Sequence, residues 1–368
     1  MQAPDALVQD RRFMAAAIRL SHRHSGLTDT NPSVGALIVK DGAIVGSAVT
    51  AIGGRPHAET QALAQAGDRA RGATAYVTLE PCAHYGRTPP CAEALVAAGV
   101  RRVVCGAPDP DHRVTGRGFA ILQNGNVSVE ARVLQTEASE MLSGYLTRSL
   151  KRRPEVTLKL AVSTDGMIGR KGNEPVAITG PVAGRQVHLL RAFSDAILIG
   201  IGTALADDPQ LTCRLPGLEQ RSPARFILDS SARLPLASRL AQTAQTVPTT
   251  IVADEQAARP ADVEALRDLG VDVLFVPHSN GELDLPGLLQ GLARQGISTL
   301  MVEGGAVTAS AFLRNDLVDR IVLLTGPEAI GAEGIAAPLL PAQVPERFMA
   351  WRENRFGNDL WQEWVRAV

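Results

Sequence analysis

Residues 78–91 read TLEPCAHYGRTPPC, and a short HAE stands upstream at residues 57–59. Two of the chain's four cysteines fall in this one proline-studded stretch, Cys82 and Cys91, with eight residues between them. That spacing is too wide for the paired CxxC knuckles of structural zinc, and only three good ligands are in view: His57, Cys82 and Cys91. Three is the count of a catalytic ion. Zinc held by one imidazole and two thiolates keeps a fourth position for a water whose pKa falls to near neutrality. The flanks set the fold. ATAYVTLE, ending at Glu80, reads as a buried strand, and HAETQALAQAG reads as a helix that His57 opens and Gly67 ends. Thr88-Pro89-Pro90 opens a second helix running through Val96, with Gly99 as its stop. Cys91 then lies in a first helical turn, where unpaired N–H groups favour a thiolate. Glu59 is two residues from His57, about 200° around an ideal helix. It is therefore not a comfortable ligand for the same ion, but it can reach the bound water and move a proton from it to a leaving amine.

Outward from this stretch, strands and helices alternate. A first helix over Asp10–His22 carries Phe13, Ala17, Ile18 and Leu20 at helical spacing. VGALIVKDGAIVGSAV reads as two strands joined at Lys40-Asp41-Gly42. RRVVCG and NVSVEAR read as further strands separated by a glycine-rich loop. The run Lys151-Arg152-Arg153-Pro154 reads as a solvated linker. Beyond it the alternation restarts with VTLKLAV, a helix over Pro181–Ala192, DAILIG, ARFILD, TTIVAD, VDVLFVP, a helix over Leu285–Arg294, STLMVEGG, another helix and RIVLLTG. Two α/β domains are expected, 1–149 and 150–368.

Of 368 residues, 45% are hydrophobic and 20% charged, an ordinary globular balance. The formal net charge of −1 gives no broad field for nucleic acid or anionic lipid, so any phosphate must be held by local groups. With no basic stripe or aromatic platform, a nucleic-acid substrate is disfavoured. The start MQAPDALVQDRRF has no basic region followed by an apolar run, and AILIGIGTALA is too short and glycine-rich to span a bilayer. Four irregularly spaced cysteines make no disulfide framework, so a cytoplasmic protein with no membrane partner is expected.

HAE with Pro81-Cys82 and Cys91 resembles the zinc nucleobase-deaminase signature of the cytidine-deaminase-like superfamily. TNPSVGALIVKDG, HAE and TLEPCAHYGRTPPC together resemble the deaminase half of the bifunctional deaminase–reductases of riboflavin biosynthesis. That resemblance implies an N-terminal cytidine-deaminase-like α/β/α sandwich with one zinc per chain. It also implies a substrate that is a diaminopyrimidinone bearing a ribose phosphate. Asn31, in the TNP turn, would then hydrogen-bond the substrate, and the HYGRTPP loop would close over it through His84, Arg87 and Thr88. An arginine there suits a phosphate, because its planar fork meets two oxygens at once.

LKLAVSTDG, QVHLLRAFSDAILIGIGTALADDPQLTCR and LMVEGG resemble the reductase half of the same family, a dihydrofolate-reductase-like α/β domain using NADPH. By that resemblance Ala161, Thr203 and the Gly305, Ala306, Val307, Thr308 turn would contact the dinucleotide. Arg191, Asp207, Leu211, Arg214 and Glu303 would line the substrate site. Asp207, just before Pro209, is expected to be held by a turn and to help supply the proton when an imine accepts hydride. The chain departs from the family in NEPVAIT: Pro175 stands where a substrate-touching serine is usual, and Ala177 where a tryptophan packs on the nicotinamide side. LLTGPEAIG, near the end, also departs from the usual pattern. A noncatalytic binding or dimerisation module is therefore the alternative for the second half. A homo-oligomer, dimer or tetramer, is the expected assembly.

Overall fold

The computed structural model describes residues 4–86, 89–111, 113–172, 176–279 and 282–367. It divides into two compact units, Met1–Arg152 and Arg153–Val368.

The first unit runs α1 (Pro4–Ser21), β1 (Gly35–Lys40), β2 (Ala43–Val49), α2 (Ala58–Ala66), β3 (Thr74–Leu79), α3 (Cys91–Ala97), β4 (Arg102–Ala107), α4 (Arg117–Asn124), β5 (Ser128–Glu130), α5 (Gln135–Met141) and α6 (Ser143–Lys151). Its sheet has the order β2-β1-β3-β4-β5, with the first two pairings antiparallel and the last two parallel. The β1–β2 turn is sharp because Asp41 and Gly42 both take positive φ, 50° and 78°, as a two-residue hairpin requires. Gly35 and Ile38 point to opposite faces of β1, and Ile38 pairs with Gly46. A Cβ at Gly35 would meet the Ala17 carbonyl at 2.1 Å, and one at Gly46 the Ala62 carbonyl at 2.1 Å. So α1 and α2 press on opposite faces of the sheet, making the layered sandwich. The stretch expected to be a glycine-rich loop between β4 and β5 contains helix α4. Its glycines explain the misreading: Gly116 is the left-handed N-cap and Gly118 lets the helix approach Pro81, whose carbonyl a Cβ would meet at 2.2 Å.

The second unit runs β6 (Glu155–Val162), β7 (Met167–Arg170), α7 (Pro181–Ala192), β8 (Ala196–Gly200), α8 (Ile201–Asp207), β9 (Ala224–Leu228), α9 (Arg239–Gln242), β10 (Thr249–Ala253), α10 (Pro260–Asp268) and β11 (Asp272–Phe275). It continues through β12 (His278–Ser279), β13 (Glu282–Leu283), α11 (Leu285–Arg294), β14 (Thr299–Glu303), α12 (Ala306–Arg314), β15 (Arg320–Thr325), β16 (Gly334–Ala336), β17 (Phe348–Phe356) and β18 (Asp359–Arg366). Nine strands form one sheet, ordered β11-β10-β9-β8-β14-β6-β15-β18-β17. All pairings from β11 to β15 are parallel, and the final β17–β18 hairpin is antiparallel. The central strands β8, β14 and β15 are near-continuously buried, as a parallel sheet covered on both faces demands. β14 returns to lie between β8 and β6, so the crevice at their carboxyl ends is a switch point where open α/β sheets bind ligands. Arg153 is not part of a solvated linker. Its guanidinium pairs with Asp319, whose carboxylate also accepts from the Val156 N–H, fastening the start of β6.

Candidate active sites

In the first unit, three chain segments meet. His57 is the N-cap of α2, Cys82 follows the end of β3, and Cys91 begins α3. The His57 Nδ1 lies 3.7 Å from Cys82 Sγ and 3.4 Å from Cys91 Sγ, and the three donor atoms are all within 4.8 Å of one another. A tetrahedral ion with Zn–S near 2.3 Å and Zn–N near 2.0 Å would separate nitrogen from sulfur by about 3.5 Å. The donor set fits that ion in type and in spacing. His57 has φ −67° and ψ 159°, so it precedes the helix rather than riding on it, and the expected 200° separation from Glu59 does not apply. Glu59 sits instead in the first turn of α2, 4% exposed. Burial pushes its carboxyl up, the Cys82 sulfur adds to this, and His57 opposes it.

The Cys91 N–H, at the start of α3, donates to Cys82 Sγ at 3.2 Å. Hydrogen bonding from Cys91, outweighing burial, brings Cys82 down to about 4, while the same hydrogen bond, together with burial, pushes Cys91 up. The His57 Nε2 and His84 Nδ1 are buried with no partner among the described residues.

Asn31 sits in a turn closed by its own N–H on Thr28 O and by Thr28 Oγ1 on its carbonyl, at 3.1 and 2.7 Å. Gly53 N donates to Leu27 O, zipping this turn to the segment that leads into His57. Gly54, at φ +83°, leaves room for Asn31: a Cβ there would meet Asn31 Nδ2 and Thr28 O, both at 2.5 Å. Arg87 and Thr88 lie outside the described residues.

In the second unit, a cleft of about 980 Å³ opens at the carboxyl ends of β8, β14 and β6. Ala161, Thr203, Gly305, Ala306, Val307 and Thr308 all line it, as do Arg191, Asp207, Leu211 and Glu303. The turns after β8 and β14 lock together. Gly305 N donates to Thr203 Oγ1 at 3.0 Å, and Thr308 Oγ1 fills the space a Cβ on Gly200 would need. Glu303, the last residue of β14, accepts from Lys159 at 3.1 Å and from Arg191 Nε and Nη2 at 3.0 and 2.9 Å. Burial pushes Glu303 up, but Lys159 and Arg191 more than reverse this and hold it at about 2. Arg214 lies outside the lining, and burial, then Arg191 and Arg239, pulls it down. The turn role expected for Asp207 belongs to its neighbour. Asp207 ends α8, whereas Asp208 takes φ 38° and accepts from the Arg239 N–H. Asp207 is an exposed residue of the lining, and partial desolvation raises it. Ala177 lines the cleft; Pro175 is outside the described residues.

Residues 7–107 match the family described as the cytidine and deoxycytidylate deaminase zinc-binding region, and residues 154–356 match the RibD C-terminal domain. Over 345 residues the chain is 40% identical to the riboflavin biosynthesis protein RibD of Escherichia coli (strain K12), covering 91% of this chain and 92% of the relative. The chain belongs to the RibD family. RibD of Aquifex aeolicus is 37% identical over 349 residues, 95% of each chain. The solved RibD of Acinetobacter baumannii is similar with a TM-score of 0.86 at 38% identity, over 98% of this chain and 100% of that one. A Thermotoga maritima structure described as a diaminohydroxyphosphoribosylaminopyrimidine deaminase/5-amino-6-(5-phosphoribosylamino)uracil reductase gives 0.85 at 31%, with the same coverage.

Both enzymatic halves of a RibD deaminase–reductase are present, and a noncatalytic second half is not favoured. Three residues of these sites escaped the sequence reading. Gly54 was signalled by the Gly-Gly pair just before HAE. Glu80, 3% exposed and accepting from the Phe119 N–H at 3.4 Å, was hidden inside the motif itself. Lys159 was marked only as a lone charge in an apolar strand.

Proposed function

We propose that this RibD-family chain performs two successive steps on one phosphoribosyl pyrimidine. The first is hydrolytic deamination of 2,5-diamino-6-ribosylamino-pyrimidinone 5'-phosphate, and the second is NADPH-dependent reduction of the ribosyl group to ribityl. The observation that carries the reading is the His57, Cys82, Cys91 donor set at tetrahedral spacing with Glu59 buried beside it. His57, Cys82 and Cys91 would hold one Zn²⁺, which would supply the Lewis acidity that makes water a nucleophile near neutral pH. Glu59, lifted by its burial, is placed to carry a proton from the attacking water to the departing amine. Asn31 holds the pyrimidine edge and His84 meets the ribose phosphate, with Arg87 and Thr88, which lie outside the described residues, assigned to the same phosphate from the family resemblance alone.

In the second unit NADPH would supply the hydride. The Gly305–Thr308 turn at the start of α12, with Thr203 and Ala161, would hold the dinucleotide, the N–H groups of Ala306 to Thr308 being those of the first helical turn. Glu303, kept ionised by Lys159, orients substrate hydroxyls, and Asp207 hands over the proton as the opened imine takes up hydride. Arg191 commits Nε and Nη2 to Glu303 and Nη1 to Thr212 O, and Arg214, exposed and outside the cleft lining, is the proposed second charge for the phosphate. The domains that carry these steps are residues 1–152 and 153–368, the expected boundary at 149 moving to the end of α6. Among the described residues no helix is long and apolar enough to cross a membrane, and the four free cysteines support a cytoplasmic location. The exposed edge strand β17 supports a dimer or tetramer.

Supplying the diaminopyrimidinone phosphate with NADPH, and recording ammonia and cofactor oxidation together, tests both halves. The expected result is ammonia followed by oxidation; ammonia alone would leave only the first step standing.

A further inference from the structure

Arg225, the second residue of β9, is 0% exposed. Among the described residues its guanidinium makes hydrogen bonds only to neutral oxygens. Nη1 donates to Gln210 O at 3.1 Å and Thr243 Oγ1 at 2.9 Å; Nη2 donates to Leu240 O at 3.3 Å, Val247 O at 2.8 Å and Thr249 Oγ1 at 2.6 Å. Nε is buried without a partner. A buried cation with no opposing carboxylate is costly, and an apolar side chain of similar volume would serve a strand better. Four of the five acceptors belong to scaffold around α9 and the start of β10. Gln210 alone belongs to the segment that reaches the cleft, standing between the lining residues Pro209 and Leu211.

Gln210 immediately precedes Leu211, which is 3% exposed, lines the cleft and takes φ +55°. A leucine enters that left-handed region only when its surroundings impose it. On the cleft side the next residue is also held: Thr212 O accepts from Arg191 Nη1 at 3.2 Å and lies 3.1 Å from His188 Nδ1. The segment is thus gripped at Thr212 from the site and at Gln210 from the core.

We propose that Arg225 is a positioning residue of the reductase, fixing the Gln210 carbonyl so that Leu211 is set as the wall of the substrate half of the cleft. This rests on the reductase reading above. It concerns only the pyrimidine's site, because the dinucleotide turns have their own Gly305–Thr203 lock.

The test uses the full chain with Arg225→Lys, and Thr243→Val as a milder variant that keeps the guanidinium but removes one of its anchors. Arg225→Lys should raise KM for the deaminated pyrimidine about tenfold, one hydrogen bond's worth, with kcat little changed. NADPH affinity by fluorescence titration and ammonia release should both match the unaltered chain. Thr243→Val should shift KM in the same direction by about threefold. Amide exchange at Leu211 to Cys213 reads the loop directly and should speed up in both variants. Unchanged exchange overturns the proposal whatever the enzyme's activity. So does a joint fall of KM performance, kcat and NADPH affinity, which marks a merely structural arginine. Should Arg225→Lys fail to fold, wild-type KM and exchange in Thr243→Val overturn it. An unaltered chain that oxidises no NADPH overturns the reductase reading instead, and the catalytic part of this proposal with it.

Discussion

Glu59 works from the first turn of a helix whose N-cap is the metal-facing histidine, and that one-residue arrangement separates proton transfer from ligation. Histidine in extended backbone can aim Nδ1 at the two sulfurs while the carboxylate two residues on turns inward. Cys91 contributes twice, by its sulfur and by its N–H to Cys82. Cys91→Ser should therefore lose zinc, measured by elemental analysis of the purified protein, because serine replaces a thiolate with a weakly acidic hydroxyl. Retention of a full equivalent would remove Cys91 from the ligand set. In the other unit, Asp207 lines the cleft and partial desolvation raises it, the direction a proton donor needs. Asp207→Asn should slow NADPH oxidation about a hundredfold while ammonia release is unaffected. An unchanged oxidation rate would refute its role.

At the scale of elements, the close approach of two turns places Asn31. Gly54→Ala forces a Cβ to 2.5 Å from the Thr28 carbonyl at a φ of +83°, so the turn must move. The expected outcome is a loss of about 1–2 kcal/mol in thermal or urea unfolding, with a higher KM for deamination. A wild-type KM would separate Gly54 from the site. Three elements, β6, α7 and β14, are tied by Lys159, Arg191 and Glu303. Glu303 is depressed from 4.5 to about 2, so its contribution is complete above pH 4.5 and disappears as pH falls toward 2. The second unit should lose up to about 3 kcal/mol across that window, and Glu303→Gln should flatten the loss. A pH dependence identical in both proteins would contradict this. Much of the layout was legible in sequence wherever local chemistry and tertiary need agreed. The Lys40-Asp41-Gly42 turn, the Pro181 and Leu285 helix starts and the apolar central strands are cases in point. Where they disagreed, reading failed: α4 begins among glycines needed for close packing on Pro81, and the β17–β18 hairpin carries exposed, charged residues that mask its strand character. The zinc ligands stood out because three rare residue types coincided. Lys159, Arg225 and Gly54 did not, since their roles come from long-range contacts no local pattern announces.

At the scale of the whole molecule, each unit has its own core and its own site. One apolar cluster runs through the first sheet and its helices, and two clusters cover the second sheet. A chain with net charge −1 cannot attract a phosphorylated substrate by its overall field, so each site must supply its own cations. Two sites in separate units should fail separately. Glu59→Gln tests this most directly, with zinc content, ammonia release and NADPH oxidation on the already deaminated substrate measured on one preparation. The account predicts zinc retained, ammonia release abolished and oxidation intact. Persistent ammonia release, or zinc lost together with it, would contradict the assignment of Glu59 as proton carrier beside a three-ligand ion.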